Sequence, residues 1–214
     1  MKPKVLVVGS TGRLGAYLVP ELERSCEVIR TGRRAHSDIL YPITIKDECD
    51  LVVDLAAYTN VVRAETEKLR CFQTNVDGTF NLVEAYKDKP FVYISTEYAK
   101  NPLGVYATSK YLAEQVVKTH PHHLIIRTSF KPTPWPFPFA YEDQMTQGDY
   151  VDVIAKLLAK KITNWNGKNG LVYVGTGRKT ILELAQRTRP DVKPNKVDDY
   201  VKQIGLNIIP HDYR

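Results

Sequence analysis

A chain of 214 residues is long enough to bury the core of one ordinary domain with a small appended lobe, and too short for a second full domain. Its 43% hydrophobic and 25% charged residues match a folded globular protein and exclude a disordered one. The 30 Lys and Arg against 24 Asp and Glu leave a net charge of +6, which either favours anionic partners or simply solubilises the surface; the basic residues are scattered without interleaved aromatics, so no nucleic-acid partner is expected.

Residues 5–8 form a β-branched apolar run that stops at a glycine cluster, and residues 14–23 then carry Leu14, Leu18 and Leu22 at helical spacing. A strand over 27–30 follows, and 51–53 is continuous enough to be a strand covered on both faces. The stretch 61–86 is helical but broken near 75–78; Pro90 closes it, and 91–94 reads as the next strand. A helix over 105–119 and a strand over 124–126 complete five strands in strict alternation with helices. That pattern predicts an α/β fold, a Rossmann-type doubly wound parallel sheet.

The character changes at KPTPWPFPF, residues 131–139, which suits neither helix nor central strand. A helix over 150–161, a strand over 171–174 and a helix over 181–188 capped by Thr180 then build a small C-terminal substrate lobe. The expected division is a dinucleotide-binding unit over 1–130 and a substrate lobe over 131–214, part of which returns to the first sheet. Trp135 and Phe137 either stack on a ligand or pack the loop.

Gly9, Thr11, Gly12, Arg13, Leu14 and Gly15 lie in a GxxGxxG turn between the first strand and the first helix. The glycines permit a tight turn, close approach of backbone to a pyrophosphate, and packing of helix on strand, while the helix N-terminus offers free N–H groups to the anion. A carboxylate near the end of the second strand would hold a free ribose hydroxyl. Here the segment carries Arg33 and Arg34, whose guanidinium groups suit a 2′-phosphate, so NADP (as NADPH) is expected over NAD; two solvated surface arginines are the other reading.

Tyr106 and Lys110 stand in a YxxxK spacing that places both on one helical face, after a strand whose end carries Ser95 and Thr96. A phenol works as an acid or base near neutrality only if an ammonium stabilises its anion, which is the role read for Lys110. Tyr106 would then exchange a proton with a substrate oxygen that Thr96 also holds. A core tyrosine with a snorkelling lysine is the alternative.

Three segments exclude other chemistries. Cys26, Cys49 and Cys71 are odd in number and lack CxxC spacing, which argues against a disulfide framework and against a metal site and for a reducing, cytoplasmic setting. His120, His122 and His123 lack further ligands at fitting spacing and read as solvated or capping residues. GxSxG is absent, which disfavours an α/β-hydrolase. No stretch reaches membrane-spanning length, so no membrane partner is expected.

The segments GSTGRLG (9–15), DLAAYTNVVRAE (54–65), NVDGTFNLVEA (75–85), YISTEYA (93–99) and VYATSKYLAE (105–114) together resemble the extended short-chain dehydrogenase/reductase family, and within it the dTDP-4-dehydrorhamnose reductases and their sugar-nucleotide-binding relatives. The resemblance implies a catalytic triad of Thr96, Tyr106 and Lys110. It places Leu55, Ala56, Ala57 and Thr59 along the cofactor cleft after the family's fourth strand, with Asn75 steadying that cleft and Asp38 and Ile39 on the adenine. It implies a nucleotide-sugar substrate and a homodimer formed through helices near 79–87 and 105–118. The nine residues between Thr96 and Tyr106 are fewer than the family's loop there, and Glu97 stands where the family usually has Asp. Epimerase or dehydratase chemistry on the same triad, or a non-catalytic NADP-binding regulatory role, remain alternatives.

Overall fold

The computed structural model describes residues 2–31, 39–40 and 48–212. Arg33, Arg34 and Asp38 lie outside the described residues.

The first half alternates as the apolar runs dictate: β1 (Lys4–Val8), α1 (Arg13–Glu23), β2 (Glu27–Thr31), β3 (Leu51–Asp54), the short helices α2 (Val61–Ala64) and α3 (Lys68–Phe72), then α4 (Gly78–Ala85), β4 (Phe91–Thr96), α5 (Gly104–Val117) and β5 (His123–Thr128). The break expected near 75–78 is a π-helical turn over Gln73–Asp77, the wider winding that often marks a functional site.

The second half holds β6 (Phe130–Lys131), β7 (Phe139–Tyr141), β8 (Met145–Thr146), β9 (Asp149–Tyr150), α6 (Val151–Thr163), β10 (Gly170–Tyr173), β11 (Lys179–Thr180), α7 (Ile181–Gln186), β12 (Lys193–Asn195) and α8 (Val197–Ile204). Thr180 caps α7 as expected, and Glu183 returns the bond to its N–H in a capping box.

The central sheet has six parallel strands in the order β10-β5-β4-β3-β1-β2. All six residues of β4 and of β5 are buried, because helices cover both faces. On one face Val5, Val7, Val53 and Ile126 pack with Leu18 and Leu22 of α1 and Ile154 and Leu158 of α6. On the other, Leu6, Val52, Phe91 and Ile125 pack with Leu82 of α4 and Ala113 and Val117 of α5. Residues beyond 131 thus contribute both to the main sheet, through β10, and to its covering layer, through α6.

A separate core joins Trp135, Ala140, Tyr150, Ile181, Leu184 and Val192. Trp135 is therefore a packing residue of this second core, with its indole N–H donating to the Phe139 carbonyl; Phe137 meets it edge-on and stays half exposed. His120 and His123 are not solvated but buried, bound to the Tyr86 and His120 carbonyls at the foot of α5. Among the described residues no helix is long and apolar enough to cross a membrane, and no group of three or more His, Cys, Asp and Glu could hold a metal ion.

Candidate active site

β1 is hydrogen-bonded to β2 on one side and β3 on the other, so the chain leaves β1 and β3 at the carboxyl edge where the winding direction reverses, the crevice in which open α/β sheets bind ligands. Two turns flank it. In the first, Gly9 adopts φ +79°, and its N–H and that of Ser10 both donate to the Thr31 carbonyl (2.9 and 3.1 Å). A methyl group on Gly9 would reach 2.8 Å from the Ala56 nitrogen, and one on Gly15 would collide with the Ser10 carbonyl. Backbone therefore passes backbone with no side chain between, and α1 settles directly on the turn. Gly12 is the N-cap of α1 with no side-chain cap, and Thr11, Gly12 and Arg13 are exposed, so the helix presents unpaired N–H groups to an anion there. Leu14 is buried and anchors the helix from below. This bare, concave turn fits a diphosphate.

The second turn leaves β3. Leu55 N–H donates to the Val8 carbonyl, and Ala56 N–H to Asp54 Oδ1 at 2.9 Å. Asn75 fixes the next step: its side chain is buried, accepts the Tyr58 N–H at 2.7 Å and donates to Ser109 Oγ at 2.8 Å. Ala56 and Ala57 are half-buried and Thr59 is exposed along the crevice. In chain order this is the turn after the third described strand. Ile39 is buried against Gly78, where a methyl group would meet its side chain, and its carbonyl accepts from Asn81 Nδ2.

The structure brings Thr96 and Tyr106 together. Thr96 ends β4, buried at the carboxyl edge, and the half-buried Tyr106 stands near it in the first turn of α5. Burial holds the Tyr106 hydroxyl above its ordinary range, with Thr96 pulling the other way. Tyr98 braces the Tyr106 ring edge-on at 6.3 Å.

Lys110, one turn along α5, is buried; its ammonium donates to the Ile94 carbonyl (2.9 Å) and lies 4.1 Å from the centre of the Tyr93 ring. The contacts of Lys110 are thus with β4 rather than with the Tyr106 hydroxyl, in contrast to the ammonium–phenol pairing expected from the YxxxK spacing. Burial pushes it down to about 8, while Asp54, Glu114 and Cys71 act in the opposite direction.

Asp54, Glu114 and Arg127 around the site escaped the sequence reading. Asp54 is fully buried and pushed up to about 6 by desolvation, against Lys110, the Ala56 N–H and Thr79. Glu114 accepts Arg127 Nε and Nη2 (2.8 and 2.6 Å) and Ser95 Oγ (2.5 Å), and Arg127 Nη2 reaches on to the Ala99 carbonyl in the short 3-10 turn after Thr96. Glu97 accepts from Thr146 Oγ1 and the Gln147 N–H, tying that same turn to the end of β8. The available signal was an acidic residue closing or flanking an apolar run, as in LVVD. A cavity of about 440 Å³ lined by Pro3, Cys26, Leu51, Pro90 and Trp165 lies at the amino end of the strands, away from these groups.

The sequence profile of the RmlD substrate-binding domain matches residues 2–161. The chain belongs to that family. Among curated RmlD relatives, the dTDP-4-dehydrorhamnose reductase of Sinorhizobium fredii is 30% identical over 149 residues, 59% of this chain and 50% of that protein. The dTDP-4-dehydrorhamnose reductase of Mycobacterium tuberculosis is 26% identical over 151 residues, again 59% of this chain and 50% of the relative. The chain thus spans about half the length of these relatives. The dTDP-4-dehydrorhamnose reductase of Bacillus anthracis, solved in complex with NADP, superposes with a TM-score of 0.83 at 23% identity, covering 100% of this chain and 90% of that one. A hypothetical dTDP-4-dehydrorhamnose reductase from Sulfolobus tokodaii gives 0.81 at 24% identity, covering 100% and 91%. At these identities the superpositions establish the RmlD family's Rossmann-type fold.

Proposed function

We propose that this RmlD-family chain is an NADPH-dependent oxidoreductase that reduces the 4-keto group of a nucleotide sugar, with Tyr106 as proton donor. The observation that carries the reading is the placement of Thr96 at the end of β4 and Tyr106 in the first turn of α5, at the carboxyl edge of the sheet, beside a glycine turn bare enough for a diphosphate. The names of its relatives support the substrate class.

Thr11, Arg13, Leu14 and Gly15 hold the diphosphate through backbone N–H groups on a turn that Gly9 and Gly12 shape, with Leu55, Ala56, Ala57, Thr59 and Asn75 forming the facing wall and Ile39 the adenine side. Arg33, Arg34 and Asp38 complete that end. The nicotinamide supplies the hydride when bound. Thr96 Oγ1 and the Tyr106 hydroxyl both hydrogen-bond the carbonyl oxygen, and Tyr106 gives its proton to that oxygen as it becomes an alcohol. Burial keeps the phenol protonated, as an acid must be before it donates. Lys110 places a positive charge one turn beneath, where it favours the phenolate left behind and can meet a ribose hydroxyl.

Residues 131–214, apart from α6 and β10, form the substrate-binding lobe in this reading, and the compartment is the cytoplasm. Phe80 on α4 and Tyr111 and Leu112 on α5 are exposed on the helix layer through which we propose a homodimer forms.

The test is spectrophotometric NADPH oxidation with a dTDP-4-keto-6-deoxyhexose, in the wild type and Tyr106→Phe. The reading requires net NADPH consumption that the variant abolishes while still binding NADPH. Turnover without net consumption would instead indicate an epimerase or dehydratase, and tight NADPH binding with no turnover across nucleotide sugars would indicate a regulatory subunit.

A further inference from the structure

The register of the central sheet aligns Val8 with Asp54 and Asp54 with Tyr93, so these three side chains leave one face, the face covered by α4 and α5. From the other side, α5 turns Val117, Ala113 and Lys110 inward along one stripe. Lys110 occupies the uppermost position of a stripe that is apolar below it. Its ammonium and the Asp54 carboxylate are both buried on this face: Nζ lies 4.1 Å from the centre of the Tyr93 ring, and Tyr93 is the registered neighbour of Asp54.

We propose that Asp54 is a positioning residue for Lys110: its carboxylate is the counter-charge that keeps Lys110 an ammonium inside the fold, and through the Ala56 N–H it ties that charge to the turn after β3.

The other groups acting on Lys110 are spent or neutral. Glu114, on α5 itself, has its oxygens committed to the Arg127 guanidinium and to Ser95. The Cys71 thiol on α3 is pushed up by burial and stays neutral, as do the phenols of Tyr93 on β4 and Tyr106 on α5. Asp54 faces the Thr79 hydroxyl at 3.5 Å and the Ala56 N–H, neither of which carries charge, and among the described residues Lys110 is the one cation acting on it. An ammonium buried without a counter-charge loses several pH units of basicity and becomes an amine near neutrality. With burial raising Asp54 to about 6 and lowering Lys110 to about 8, both are ionised in the interval between.

The test titrates the whole chain by NMR, following the Lys110 Nζ and the Asp54 carboxyl carbon, with neither cofactor nor substrate present. It therefore stands apart from the proposed reaction. In Asp54→Asn, which keeps an acceptor for the Ala56 N–H, the Lys110 midpoint should fall by roughly one pH unit or more. In Lys110→Met the Asp54 midpoint should rise by a similar amount. A merely structural role for Asp54 would leave the Lys110 midpoint in place. Midpoints unmoved from the wild type in the folded variants overturn the proposal, and if Asp54→Asn does not fold, the Lys110→Met titration decides alone.

Discussion

Asn75 and Tyr58 clasp each other: Asn75 Oδ1 accepts the Tyr58 N–H at 2.7 Å, and Asn75 Nδ2 donates to the Tyr58 carbonyl at 3.2 Å. One buried amide in a π-helical turn thereby shapes the loop that lines the candidate cofactor crevice, and a further bond to Ser109 Oγ fastens both to α5. Replacing Asn75 with Ala strands the Tyr58 N–H and carbonyl. The expected cost is about 1–3 kcal/mol of unfolding free energy, together with weaker NADPH binding. Urea denaturation and a fluorescence titration of NADPH measure the two, and an Asn75→Ala protein as stable as the wild type would refute the clasp.

Gly9 and Gly167 share φ +79°, but their surroundings differ. A methyl group on Gly9 meets the Ala56 nitrogen at 2.8 Å, whereas one on Gly167 meets nothing within 4 Å. Gly167→Ala should therefore cost only the left-handed strain, about 1 kcal/mol. Gly9→Ala should cost clearly more and abolish dinucleotide binding. Equal losses in thermal unfolding would mean that conformation alone, and not the close approach of the two turns, requires the glycine.

The Glu114 and Arg127 pair is buried, with side chains 0% and 10% exposed. Arg127→Met leaves an uncompensated carboxylate and should destabilise by about 3–5 kcal/mol, while the Glu114→Leu/Arg127→Met double variant should regain most of that. Because Arg127 also holds the Ala99 carbonyl beside Thr96, the double variant should remain slow even where it is stable. Full activity in the double variant would show that the pair does not brace the turn after Thr96 in a way that the proposed reaction needs.

Burial of Asp54 and Lys110 sets a definite pH signature. Asp54 is raised from 3.8 to about 6, so the stability it contributes is fully present below 3.8 and lost as pH rises through 6. Lys110 is lowered from 10.5 to about 8, so its contribution is present above 10.5 and lost as pH falls through 8. Both costs are carried together between pH 6 and 8. The Asp54→Asn/Lys110→Met variant should thus exceed the wild type in stability there, by ~1–4 kcal/mol, with the gain shrinking at lower and higher pH. Urea midpoints across that range provide the check, and a gain independent of pH would contradict it.

The parts legible beforehand were those written in consecutive residues. Val5 to Val8 followed by Gly9, Gly12 and Gly15 names a strand, a turn and a helix, since each needs only its own neighbours to form. The same holds for Thr180 and its cap. The histidines after α5 show the limit. His120 and His123 look polar in sequence, yet backbone carbonyls brought in by the fold satisfy them and allow them to be buried.

From its sequence alone this protein has its alternation of strands and helices, its glycine turn, and the placement of Thr96 and Tyr106 at a strand end and the start of a helix, because hydrophobic period and backbone freedom act over a few residues. Only the tertiary structure decided that Lys110 lies over the ring of Tyr93, the registered neighbour of Asp54 far away in the chain, that Asn75 holds Tyr58, and that Glu114 is matched to Arg127. Those relations depend on strand register and helix packing, which set the desolvation and the charge neighbours of each group, and no local pattern encodes either.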